Sequence, residues 1–128
     1  MTNQPLVSFI IPVYNLEPEM IRECLESILT LSLSKQEREI IVIDDGSEFT
    51  PLNNLSDICD DIIYIRQCNQ GQSAARNVGL RMATGRFVQF VDGDDRLIRA
   101  PYEHCLDIAR YHNPDLVFFK STQDDKDV

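Results

Sequence analysis

An open, mostly parallel α/β sheet with helices on both faces, three layers in all, is the fold this sequence predicts. Three observations predict it. Short apolar runs alternate along the chain with segments whose apolar residues recur at helical spacing. The runs are apolar at successive positions, as in strands covered on both faces. And three run ends, "PVYN", "DDGS" and "DGDD", carry polar chemistry where such sheets bind ligands, outside the carboxyl ends of their strands.

The 128 residues fit one domain with a single core, and 43% hydrophobic composition is that of a folded chain. The first strand is the run "LVSFIIPVY" over 6–14, ended by Pro12. "PEMIRECLESILTL" then sets Met20, Ile21, Cys24, Leu25, Ile28 and Leu29 on a helical stripe, with Pro18 in the first turn. "REIIVIDDGS" over 38–47 is a second buried strand, ending in Asp44, Asp45 and Gly46. A polar stretch follows, with one short helix around 51–58. "IIYIR" (62–66) is the third strand. A turn at "CNQG" leads into the alanine-rich helix "QSAARNVGLRMA", which Gly85 stops. "RFVQFV" (86–91) is the fourth strand, and Pro101 opens a helix over "PYEHCLDIARYH". "DLVFFK" (115–120) is a fifth strand, and the tail "STQDDKDV" has no pattern and frays.

Composition excludes several classes. A formal net charge of -9 argues against a groove for nucleic-acid phosphates. No apolar run approaches the ~18 residues of a membrane span. The start "MTNQPLVSF" lacks the basic and apolar segments of a signal peptide, so a cytoplasmic chain is expected. Cys24, Cys59, Cys68 and Cys105 form no C-x-x-C pair, and His104 and His112 complete no zinc pattern. Structural thiols in a reducing compartment are the expectation.

The acidic strand ends need a reason in so acidic a chain. Asp92, Asp94 and Asp95 fall within four positions at the end of an apolar run. Asp92 and Asp94 share one face if the backbone is extended, and Gly93 permits a turn between them. Two carboxylates ~5 Å apart repel by roughly 3 kcal/mol at an effective dielectric near 20. Solvation at an ordinary Asp-Gly turn, a raised pKa or a bound cation would relieve this. For a cation, oxygen ligands suit Mg²⁺ or Mn²⁺, whose remaining positions go to water and phosphate oxygens. Asp44 and Asp45 are either a turn and helix cap or acceptors for a base or ribose. Neither a Walker loop nor G-x-G-x-x-G is present; a diphosphate would instead meet a metal, the helix start near 72 and arginines such as Arg76.

Two carboxylate folds fail on position. An EF-hand counted from Asp92 places Leu97 where the sharp turn needs glycine. A receiver-type signalling module needs its acids after strands one and three, but strand one ends in "PVYN" and strand three in "RQCN".

Four segments in register resemble the inverting nucleotide-sugar glycosyltransferases of family 2: "VSFIIPVYN", "IIVIDDGS", "NQGQSAARNVGLRMATG" and "RFVQFVDGDD". The resemblance spans roughly residues 6–120. It implies the GT-A fold, a Rossmann-like sheet, and transfer of a sugar from a nucleotide-diphosphate donor, UDP-linked, to a saccharide or lipid-linked saccharide acceptor. Pro12, Val13 and Tyr14 would line the base pocket, and Asp44 or Asp45 would bond the base. Arg76, Gly93 and Asp95 would lie near the donor. Asp92 and Asp94 would form the Asp-x-Asp motif that holds Mn²⁺ or Mg²⁺, with Asp94 the direct ligand. The family commonly works on polysaccharide or lipopolysaccharide at the inner face of the membrane.

The family's catalytic base follows the Asp-x-Asp by a long interval and is expected beyond Val128. The chain is therefore expected to be one domain, 1–128, truncated on its acceptor side. An edge or apolar patch exposed by the truncation would favour a homo-oligomer. The alternative is a non-catalytic module or inactive fragment that binds nucleotide-sugar and metal.

Overall fold

The computed structural model of the chain describes residues 4–112. Four strands, β1 (Val7–Val13), β2 (Arg38–Asp44), β3 (Ile63–Arg66) and β4 (Phe87–Phe90), form one parallel sheet in the order β3-β2-β1-β4. They alternate with α1 (Pro18–Leu29), a 3-10 segment (Leu52–Asp61), α2 (Gln72–Met82) and α3 (Arg99–His112). The sheet-and-helix alternation expected from the sequence is present. The expected strand at 115–120 and the tail lie outside the described residues.

The unbroken apolar runs have a physical reason. All seven residues of β1 are buried, because β1 is central and its side chains alternate between two covered faces. On one face, Phe9, Ile11, Ile40 and Val42 meet Ile21, Leu25 and Ile28 of α1, with Leu106 of α3 in the same cluster. Phe9 and Tyr102 pack there with ring centroids 6.0 Å apart. On the other face, Ile10, Ile41 and Ile43 meet Ala75 of α2. Each large apolar side chain so buried contributes about 1.5–3 kcal/mol.

Pro12 lies within β1 rather than ending it. The Ile10 carbonyl accepts the Val91 N–H at 3.0 Å, so residues two apart on β1 turn their polar groups toward the β4 side. Pro12 points the same way, but β4 pairs only with Val7–Ile10. The missing N–H of proline thus falls where no ladder bond is needed.

In α1 the buried residues are Ile21, Cys24, Leu25 and Ile28, spaced for one helical face. Met20, expected on that stripe, is 46% exposed. Helix α3 begins two residues before Pro101, and its first bond runs from the Tyr102 N–H to the Ile98 carbonyl. Pro101 therefore sits in the first turn, where no N–H is used.

Other expectations change as well. Gly85 does not stop α2, which ends at Met82. A Cβ at Gly85 would lie 2.8 Å from the Ser8 nitrogen, so the glycine lets the chain press against β1. And β4 is not buried on both faces: Val88 and Phe90 are each 40% exposed. It is one of the two outer strands of the described sheet, while α2 packs on β1 and β2. Of the cysteines, all free, Cys24 is buried but Cys59 and Cys68 are exposed, so not every thiol is a core thiol. No described helix is long and apolar enough to cross a membrane.

Candidate functional site

The parallel register brings the carboxyl ends of β1, β2 and β4 to one end of the sheet. Val13 pairs with Asp44, and the Asp45 N–H donates to the Val13 carbonyl at 2.9 Å. The loops beyond are braced reciprocally. The Asn15 N–H donates to Ser47 Oγ at 2.9 Å, and the Glu48 N–H donates to Asn15 Oδ1 at 2.8 Å. Asn15 adopts φ 49°, a left-handed conformation that asparagine tolerates. "PVYN" and "DDGS" are thus one structure.

Between these ends lies a cleft of about 350 Å³, within the range of small-molecule sites. Pro12, Val13, Tyr14 and Asp45 border it on one side, and Asp92, Gly93 and Asp94 on the other. Leu16, Asn69, Gly71 and Gln72 complete the wall. Gln72 is the helix start expected to meet a diphosphate; Leu16, Asn69 and Gly71 are additions to the expected site. The signal for Asn69 and Gly71 is the turn "NQGQ" just before a helix.

Asp44 and Asp45, equivalent in the sequence, differ in space. Asp44 is fully buried and bonded inward. Its Oδ1 accepts the Ser47 N–H at 2.9 Å, and its Oδ2 accepts the Tyr64 hydroxyl and Arg66 Nη1, the latter at 3.2 Å. Burial and the Asp44 carboxylate push the Tyr64 phenol up to about 12. Asp45 borders the cleft. Its Oδ1 accepts Gln67 Nε2 at 2.9 Å and the Gln70 N–H at 2.8 Å, and its Oδ2 accepts the Gly71 N–H at 2.9 Å. Burial works to raise its pKa, but these three donors prevail and hold it below the usual carboxylate value. Asp45 thereby fixes the entry to α2, whose first N–H groups have no intrahelical acceptor.

Asp92, Gly93, Asp94 and Asp95 form a turn closed by the Asp95 N–H donating to the Asp92 carbonyl at 2.9 Å. Gly93 is buried, and a Cβ there would lie 2.6 Å from Val13 Cγ1 and 2.8 Å from Leu16 Cδ1. The glycine lets the turn close onto the end of β1. One oxygen from each of Asp92, Asp94 and Asp95 lies within 4.8 Å of the others. Burial and the charges of Asp94 and Asp92 raise the Asp95 pKa. Arg76 reaches Asp92 Oδ1 at 3.1 Å, both side chains half-exposed, so it meets the acidic turn itself. Asp95 faces a neighbouring hollow of about 260 Å³ with Met20, Glu23, Asp94 and Arg96. Asp94 borders both spaces.

Beneath the turn, Cys24 is fully buried. Burial first, then Asp95, Asp94 and Asp92, push its thiol up to about 12, so it stays protonated near neutrality.

Residues 8–127 match the family described as Glycosyl transferase family 2. The chain belongs to that family. Among family relatives, it is 39% identical over 130 residues to the uncharacterized glycosyltransferase EpsJ of Bacillus subtilis, covering 94% of this chain and 36% of EpsJ. Among solved structures it is similar to S. aureus TarS 1-349 in complex with UDP-GlcNAc, with TM-score 0.72 and 30% identity over 84% of this chain and 32% of that one. It is also similar to the mannosyltransferase PcManGT of Pyrobaculum calidifontis, in complex with GDP-Man and Mn²⁺, with TM-score 0.68 and 26% identity over 84% and 32%. Its fold is the Rossmann-like α/β fold of GT-A glycosyltransferases. The family 2 chain spans about a third of the length of these relatives.

The acidic turn of this family 2 chain fits a divalent ion by its donor set. Its three clustered side chains offer only carboxylate oxygens, the ligands of hard cations, with no thiol or imidazole.

Proposed function

We propose that this chain is the donor-binding part of a glycosyltransferase. The enzyme moves a sugar from a nucleotide-diphosphate sugar, UDP-linked, to a saccharide or lipid-linked acceptor hydroxyl, with inversion and with help from Mn²⁺ or Mg²⁺. One observation carries the reading: a fixed carboxylate, Asp45, and the carboxylates of the acidic turn border the same cleft of about 350 Å³.

The roles follow from position. Pro12, Val13 and Tyr14 form the wall against which a base lies. Asp45 is favoured over Asp44 as the residue at the base, because Asp44 is fully buried and bonded inward. Asp45 Oδ1 already accepts two donors, but Oδ2 accepts only the Gly71 N–H and retains acceptor capacity. Asp94 and Asp92 hold the cation, Asp94 directly. Arg76 steadies Asp92 through its ion pair. Gly93 keeps the turn close to the base wall.

A bound divalent ion would supply positive charge to the diphosphate, stabilising the leaving group as the glycosidic bond breaks. The acceptor hydroxyl attacks the sugar centre from the face opposite the nucleotide. Its proton goes to a general base outside the described residues. The cleft carboxylates are otherwise assigned: Asp45 to the base wall, Asp92 and Asp94 to the cation.

The test is calorimetric titration of UDP into this chain with and without Mn²⁺. Binding that tightens with Mn²⁺ is expected. Absent binding, or binding indifferent to the metal, overturns the reading.

A further inference from the structure

Helix α1 touches both ends of the acidic loop. At one end, the Cys24 thiol faces the Asp92 carbonyl as a donor, with Sγ and O 3.7 Å apart. At the other, the Leu97 N–H donates to Ser27 Oγ at 3.0 Å. The Ser27 hydroxyl proton is engaged elsewhere, donated to the Cys24 carbonyl at 2.6 Å. Its oxygen is therefore oriented to accept, and Leu97 supplies the donor. Cys24 and Ser27 are three residues apart, on one face of a helix anchored in the core by Ile21, Leu25 and Ile28.

We infer that Cys24 and Ser27 are positioning residues for the acidic turn. They hold the segment from Asp92 to Leu97 at both ends, so that the carboxylates of Asp92, Asp94 and Asp95 are gathered before a cation arrives. The inference rests on the reading of that turn as a cation seat.

The physical need is plain. Three carboxylates within 4.8 Å repel one another, and Arg76 offsets only the charge of Asp92. A second cationic side chain beside Arg76 would close the turn further but would also compete with the cation. A thiol and a hydroxyl fix the backbone without adding charge, and they act on main-chain atoms, leaving the carboxylates free. Of the two, Ser27 carries more, since N–H···O is stronger than a thiol contact. The two contacts span 68 and 70 residues of sequence, so no local motif announces them.

The experiment uses the 128-residue chain with Ser27→Ala, Ser27→Thr and Cys24→Val. The Leu97 amide is followed by hydrogen exchange, and Mn²⁺ uptake by electron paramagnetic resonance, with Mn²⁺ alone and with Mn²⁺ plus UDP. In Ser27→Ala, Leu97 exchange is expected to rise and Mn²⁺ affinity to fall about tenfold, the scale seen when outer-shell supports of a metal site are lost. Ser27→Thr, which keeps the hydroxyl, is expected to restore both. Cys24→Val, which keeps volume but removes the donor, is expected to weaken Mn²⁺ uptake by less. Wild-type chain that takes up no Mn²⁺ in either condition overturns the cation seat and the inference with it. Wild-type uptake matched by Ser27→Ala overturns the positioning role alone, as does unchanged Leu97 exchange.

Discussion

The Gly71 N–H donates to the Asp45 carboxylate at 2.9 Å, so the end of β2 and the start of α2 meet on one side chain. Gln67 and Gln70 donate to the same carboxylate, and together they make Asp45 the organiser of the base side of the cleft.

Asp45→Ala is expected to destabilise the chain by about 1–3 kcal/mol, since it strands donors that have lost their acceptor. Urea unfolding measures this. The pH dependence follows from the direction of the shift: the folded pKa is lowered. The stabilisation is fully present above the ordinary carboxylate value and is lost as pH falls through the lower folded value. Acid titrations of wild type and Asp45→Asn should therefore diverge least at the acid end and most above about pH 4.

Asp94→Asn is expected to do opposite things to stability and to binding. Without metal it removes one of three like charges and should raise stability by a few tenths to about 1 kcal/mol. With Mn²⁺ and UDP present, the wild type should gain thermal stability by mass action, and the variant should gain much less. Melting scans with and without Mn²⁺ read both effects.

Tyr64→Phe removes the hydroxyl that donates to buried Asp44, and a loss of about 1–2 kcal/mol is expected. The alkaline limb carries its own signature. A phenol raised to about 12 stabilises the fold fully below its ordinary value near 10 and loses that contribution as pH rises through 12. Wild type should lose stability in that window, and Tyr64→Phe should lose less.

Gly93→Ala places a methyl 2.6 Å from Val13 Cγ1 and 2.8 Å from Leu16 Cδ1. Overpacking of this kind costs about 1–3 kcal/mol. The acidic turn should be displaced from the end of β1, so nucleotide affinity in calorimetry should fall along with stability.

The elements were legible because β1 and β2 are covered on both faces and α1 on one, so burial wrote itself into hydrophobic period. β4 misled because Phe87, Val88, Phe90 and Val91 make "RFVQFV" read as a buried strand, while Val88 and Phe90 stand 40% exposed. Gly85 misled because a glycine after a helix has two uses, and only the approach to Ser8 separates them. The three loaded strand ends were visible in the sequence, and the parallel register sets them at one end of the sheet. The difference between Asp44 and Asp45 was not visible. It is decided by Tyr64, Arg66, Gln67, Gln70 and Gly71, which lie some twenty residues on and reach them only through the fold.

The central place of β1 also sets an order of assembly. Its first partner strand begins at Arg38, its second only at Phe87. During synthesis at about 5–20 residues per second, one side of β1 waits roughly several seconds for β4. Through that interval β1, buried along its whole length in the finished fold, has an open edge, the kind of edge that pairs with strangers. Nascent chains stalled before Phe87 should therefore bind holdase chaperones, and chains released past Phe90 should let them go.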